Sequence, residues 1–308
     1  MDAPAGRSKW NRGRGMIPFA VAVAALLVGV PVALGFLLGW YGLDPPSAER
    51  WAPVGSEAHA FLNSFPAATL IVEIDFQQGW APPASAVSLL LDRINETCQK
   101  GSVVVEWNGF DASSGPFSDS DLWNLESAHR HSWPSWATMS LDYLVLGGSY
   151  GAASSTIGLA YRGSSIAVFA GAIRSNAPSE YDAVMATVMI HEFGHELGLV
   201  GIDGSAPNQD PAHPYHSNDP SDVMYWQVDS TALFGLVGNA PPNQFGAADL
   251  QDLGNVRSTV LVPELLPWVV LGVLIGAGAG VVLYSIVRAR RRRDGGPSST
   301  GRGNESGP

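Results

Sequence analysis

Residues 191–202 read HEFGHELGLVGI. His191 and His195 are four apart, so on a helix they project from one face and can share one metal ion. Neutral imidazoles suit zinc. Glu192 follows the first histidine directly, a carboxylate placed to take a proton from a water that the metal has acidified. The sequence just upstream predicts the helix. Ser179 and Asp182 have the spacing of a capping box, and the pattern that follows predicts a helix over 180–199.

Two imidazoles leave a zinc ion short of a third protein ligand. After Glu196 the chain has no glutamate until Glu264, which excludes a glutamate from a later helix. Asp203, His213 and His216 remain as candidates. Asp203 in IDGS also suits a turn, and His213 in DPAHPYHSNDP also suits a solvated loop.

Further upstream, residues 68–75 (ATLIVEID) alternate and are β-branched, which predicts a strand. Residues 84–98 have apolar positions at helical spacing. Residues 103–107, 141–146, 157–161 and 165–170 read as further strands, and 111–121 (DASSGPFSDSD) as an acidic, solvated loop. The order strand, helix, strands, long helix predicts an α/β domain with a mixed, mostly parallel sheet.

Charge is distributed unevenly along the 308 residues. Between 44 and 264 there are 7 basic and 25 acidic side chains. So acidic a segment repels phosphates, which argues against a nucleic-acid partner. One cysteine, Cys98, excludes an intramolecular disulfide framework, and its place at the end of a helix predicts burial.

Two uncharged runs frame this acidic part. Residues 15–43 hold no charge and follow Arg7, Lys9, Arg12 and Arg14; residues 265–287 hold none and precede Arg288 and four more arginines. Each run exceeds the ~20 apolar residues that cross a bilayer. Basic flanks at both ends predict a two-pass protein of the cell membrane, with both termini cytoplasmic and the acidic part outside. The expected organisation is a cytoplasmic basic segment (1–14), a transmembrane helix (15–43), a juxtamembrane linker (44–66) and an extracytoplasmic domain (67–262). A second transmembrane helix (263–287) and a disordered basic tail (288–308) follow. Gly35 and Gly39, and Gly272, Gly276 and Gly280, recur every four residues, a spacing that lets helices pack closely and suits a homo-oligomer.

The motif H-E-x-x-H-x-x-G, with Gly198 eighth and Met224 downstream in VMY, resembles the metzincin clan of zinc endopeptidases. The resemblance covers about residues 67–255, and its specific part is confined to 191–226. It implies a zincin-like fold, one catalytic Zn2+, Glu192 as general base, Gly198 at the helix exit and Met224 in a methionine turn under the metal. The clan's third ligand usually stands three residues after the glycine, where this chain has Gly201. In matrix metalloproteinases, which the motif resembles, the third histidine stands eight residues before the methionine. His216 stands eight before Met224, which implies an insertion over roughly 202–215, with His213 and Asp203 as alternatives. The extended pattern is also similar to that of some bacterial membrane-associated metalloproteases. Residues 244–253 (QFGAADLQDL) match the clan's closing helix. The resemblance further implies that an extended peptide or protein substrate pairs along an edge strand, matched to 165–170. A structural Ca2+ has no residue pattern behind it. Two other readings use the same residues: a non-catalytic binding module on a zincin scaffold, and a zinc hydrolase of non-peptide substrates.

Overall fold

Alternation in TLIVEIDFQ shapes the first strand, β1 (Thr69–Gln77). Leu70, Val72 and Ile74 are fully buried in the main core, while Glu73 and Asp75 face the other side of the sheet. The computed structural model describes residues 52–64, 67–135, 137–200, 208–235, 241–258 and scattered positions between 271 and 290. The chain divides into two compact units, one formed by Met1–Leu38 with Leu261–Pro308, the other by Gly39–Val260.

In the second unit a short helix, α1 (Ala58–Leu62), precedes β1. The segment expected as a linker thus supplies Phe61 and Leu62 to the core, both fully buried. Phe61 meets Phe193 edge to face at 6.0 Å, a contact that adds to the ~1.5–3 kcal/mol gained by burying such a side chain. Helix α2 (Ala84–Thr97) turns Val87, Leu90 and Ile94 inward, and leads to β2 (Ser102–Phe110), parallel to β1. Then come β3 (Pro116–Phe117), α3 (Asp119–His129), β4 (Thr138–Leu146) and β5 (Ser149–Tyr150). The antiparallel pair β6 (Gly158–Arg162) and β7 (Ser165–Phe169) follows, and then α4 (Ala170–Asn176) and α5 (Tyr181–Glu196).

The main sheet has the order β2-β1-β4-β7-β6, parallel except for β6. The domain is therefore mixed α/β with a mostly parallel sheet, as expected. One face packs on α2 and α5: Tyr143 of β4 donates its hydroxyl to Met189 O at 2.8 Å. The other face packs Leu144, Leu146 and Phe169 against Phe110, Phe117 and Leu122.

Several local expectations change. The acidic stretch 111–121 contains β3 and the start of α3. Ser118 caps that helix in a reciprocal box with Asp121. The box expected at Ser179 does not form. Glu180 is the N-cap without a side-chain bond, and Asp182 accepts instead from Ser85 Oγ of α2 at 2.7 Å. Helix α5 stops at Glu196, not 199. Leu199 N bonds Gly194 O and Gly198 N bonds His195 O, each at 3.0 Å, with Gly198 at φ 75°. That pairing is a Schellman exit, which needs the left-handed conformation glycine adopts freely.

The expected edge strand is also corrected. β7, residues 165–169, lies between β4 and β6, so both its sides are paired. The free edge belongs to β6. Among the described residues no helix is long and apolar enough to cross a membrane. The expected span 15–43 lies outside the described residues, and all of 263–270 and several later positions of the span 263–287 do too.

Candidate metal centre

α5 carries His191, Glu192 and His195 to the sheet's β6 end. His191 is fully buried, and His195 and His216 are half-buried. After α5 come β8 (Gln209–Asp210) and β9 (His213–Ser217), an antiparallel pair that delivers His216. Tyr215, just before it, has φ 69°, a strained backbone for an aromatic residue beside a functional side chain. Ring nitrogens of His191, His195 and His216 all lie within 4.8 Å of one another. The His191 and His195 Nε2 atoms are 3.1 Å apart, and the His216 ring is 5.2 Å from that of His191 and 5.0 Å from that of His195.

Backbone carbonyls orient two of the rings. His191 Nδ1 donates to Val223 O at 2.7 Å, and His216 Nδ1 to Pro214 O at 3.0 Å. A carbonyl only accepts, so both Nδ1 atoms carry hydrogen and both Nε2 atoms present a lone pair, that of His191 facing His195 Nε2. His216 Nε2 is buried without a hydrogen-bond partner. Burial, then the neighbouring histidines, pushes His191 well below the usual imidazole range, and burial brings His195 down to about 3. Burial also lowers His216. The three rings are therefore neutral near pH 7, the protonation state a metal ligand needs.

Met224 is fully buried beneath them. A Cβ on Gly194 would collide with its sulfur, so the missing side chain in α5 is what admits the methionine. Met224 N donates to Asp222 Oδ1, and Met224 O accepts from Ser217 N, tying the turn to β9. A further helix, α6 (Ala247–Ser258), follows the turn near the expected stretch 244–253.

Glu192 is anchored at one oxygen. Ala160 N of β6 donates to Oε2 at 2.7 Å, while Oε1 has no hydrogen-bond partner. Gly158 leaves room for this carboxylate, because a Cβ there would overlap Oε1 and Val188. Burial, then the charge of Asp229, pushes the Glu192 carboxyl well above its ordinary range. A cleft of about 470 Å³ opens here, lined by Gly158, Ala160, Glu192, His195, His216 and Asp229.

Of the alternatives for the third ligand, His213 is held elsewhere. Its Nδ1 meets Asp210 at 3.0 Å, and its ring stacks on Trp226 at 3.9 Å. Asp203 lies outside the described residues. Two features were not read from the sequence. Asp229 stands 3.6 Å from His216 Nε2, and no spacing from the motif points to it. The second is the Ala160 amide on Glu192, which depends on β6 being the edge.

No protein-family model matches the sequence, and no curated protein matches it. Solved structures similar to it include archaemetzincin from Methanopyrus kandleri, at 15% identity and TM-score 0.46, over 63% of this chain and 98% of that one. Archaemetzincin from Archaeoglobus fulgidus, complexed with malonate, is similar at 14% identity and TM-score 0.36, over 60% and 99%. Metalloproteinase-II from Bacteroides fragilis is similar at 14% identity and TM-score 0.38, over 64% and 56%.

Proposed function

We propose that the chain is a zinc-dependent endopeptidase held at the cell membrane, with its catalytic domain outside the cytoplasm. The observation that carries this reading is the convergence of three neutral imidazoles beside one half-anchored carboxylate, with His195, His216 and Glu192 lining a cleft next to the β6 edge. The donor set fits zinc: His191, His195 and His216 offer three nitrogens, two of them with a fixed tautomer, and leave a position open toward the cleft. A zinc ion held there supplies a Lewis acid that polarises a carbonyl and acidifies a water.

The chain's own groups do the rest. Glu192 Oε2 stays on the Ala160 amide, which fixes the carboxylate's orientation, and Oε1 is free to accept the proton of the attacking water. The same oxygen then returns that proton to the leaving amine, so the side chain ends as it began. A cation held by the three neutral rings would oppose the burial that raises Glu192 and would favour its ionised form. Apart from the Ala160 amide, which Glu192 holds, the outer edge of strand β6 runs along the cleft, where an extended peptide adds as another strand. Gly158 and Ala160 present little side chain there, which lets a substrate backbone approach. The membrane placement rests on the uncharged runs 15–43 and 265–287 and their basic flanks.

The test is metal content and cleavage of a mixed peptide library by the full chain in detergent. His216→Ala is expected to lose the ion and all cleavage. Glu192→Gln is expected to keep the ion and lose about 10²–10⁴-fold in kcat. A wild-type chain that holds zinc yet cleaves no peptide overturns the peptidase reading.

A further inference from the structure

The opposite face of the sheet gathers a second set of ligand-type side chains. Parallel register places Glu106 of β2, Glu73 of β1 and Asp142 of β4 side by side, with Asp75 two residues beyond Glu73 on the same face. Like charges at neighbouring positions repel, and this patch is buried: Glu73, Asp75 and Asp142 are each 0% exposed. The nearby guanidiniums are engaged elsewhere. Arg130 donates to Glu126, to the hydroxyls of Ser140, Ser164 and Ser165, and to Ser132 O. Arg162 donates to Glu126 as well. Arg130 reaches Asp142 only through space. Asp75 Oδ2 and both oxygens of Asp142 are buried with no hydrogen-bond partner.

His131 completes the group. One ring nitrogen of His131 and one oxygen each of Glu73 and Asp75 lie within 4.8 Å of one another. His131 Nδ1 is 3.1 Å from Glu73 Oε1, close to the ~3.3 Å edge of a tetrahedron with zinc–ligand bonds of about 2 Å. Asn108 Nδ2 donates to Glu73 Oε1 at 2.9 Å and to Asp75 Oδ1 at 3.0 Å, which clamps the carboxylates while Asp75 Oδ2 stays free. The backbone amides of His131 and Ser132 hold Glu73 from the other side, each at 2.7 Å. Ligands fixed by such outer hydrogen bonds are what a metal site needs. The His131 side chain is 67% exposed, so the group is open to solvent through that ring.

We propose that Glu73, Asp75 and His131 form a second divalent-metal site, separate from the histidine triad, with Asp142 adding negative charge behind it. Two carboxylates and one imidazole suit a first-row transition ion such as zinc better than calcium, which takes 6–8 oxygen ligands.

The experiment measures zinc per chain and the thermal midpoint of the full chain in detergent, stripped with chelator, reloaded with Zn2+ and freed of excess. Wild type is expected to hold two ions and His131→Ala one. The exposure of His131 keeps that variant folded, which its stripped midpoint verifies. A His191→Ala/His195→Ala chain is expected to keep one ion and a zinc-dependent rise in midpoint, and to lose both when His131→Ala or Asp75→Asn is added. The site is overturned if that double variant holds no zinc, or if His131→Ala does not lower the stoichiometry. Retention of Ca2+ but not Zn2+ by the double variant overturns the transition-ion assignment. Because the readout is made where the triad is disabled, it stands or falls apart from peptide cleavage.

Discussion

The two faces of the five-stranded sheet bury ionisable groups with opposite consequences. On the α5 face the buried groups at the centre of the site include the imidazoles of His191 and His195, and desolvation drives these neutral, the state in which they bind a metal. On the far face they are carboxylates, and the same desolvation drives them toward the protonated state, in which they bind poorly. The three rings are thus in the state that a metal ion would need. The carboxylates Asp75 and Asp142 are buried with no guanidinium hydrogen-bonded to them. On that face the Arg130–Glu126–Arg162 cluster matches buried charges of opposite sign by hydrogen bonds.

Breaking that match is expected to have the largest effect. Glu126 is fully buried and accepts from Arg130, Arg162, Ser165 and Tyr161. Glu126→Ala strands the Arg130 guanidinium, itself only 6% exposed, and is expected to cost about 3–5 kcal/mol in chemical denaturation. A loss under 1 kcal/mol would mean that water already reaches this cluster, and the contrast between the faces would weaken.

The α5 face is probed by packing. Gly194→Ala places a methyl group against the Met224 sulfur and near the Phe245 ring. Overpacking of this kind is expected to cost about 1–3 kcal/mol. Because Met224 and Val223 are adjacent, and Val223 O orients His191, zinc affinity at the triad is expected to fall as well. Zinc retained by His191→Ala/His195→Ala should not change when Gly194→Ala is added. Equilibrium dialysis of the two backgrounds checks both halves, and equal losses in both would show that the faces are coupled.

The α5 face is legible in sequence because one helix writes most of it. His191, Glu192 and His195 fall within five residues, and the resemblance to the metzincin motif implies Gly198 at the exit and His216, eight before Met224, as the third histidine. The far face is illegible for the complementary reason. Glu73 and Asp75 look like the solvent side of an alternating strand, and only the pairing of β1 with both β2 and β4 shows that they are buried beside Glu106 and Asp142. Register is a tertiary property, set by which strands meet. The same holds for the edge strand: 157–161 reads as a strand, yet nothing local says that β6 turns antiparallel and leaves β7 inside. At Ser179 and Ser118, two similar capping signals had different outcomes because Ser85 of another helix claimed Asp182.

Asp249 tests whether burial has the same effect on a carboxylate on the imidazole side. It stands in the first turn of α6, 1% exposed, with Oδ1 accepting from Asn208 at 2.7 Å and Oδ2 without a partner. Burial, then the charge of Asp222, pushes it from 3.8 up to about 8. Below pH 3.8 the group is protonated in both the folded and the unfolded chain, and its favourable contribution is fully present. As pH rises toward about 8 the unfolded chain gives up a proton that the folded chain retains, so this contribution is lost; above about 8 the loss is complete. Asp249→Asn fixes the neutral form. Its urea midpoint relative to wild type is therefore expected to climb between those two values and to level off above the higher one. A difference that stays constant with pH would mean that the carboxylate is charged when folded, and that position near the triad, not burial alone, decides which groups on this face keep their protons.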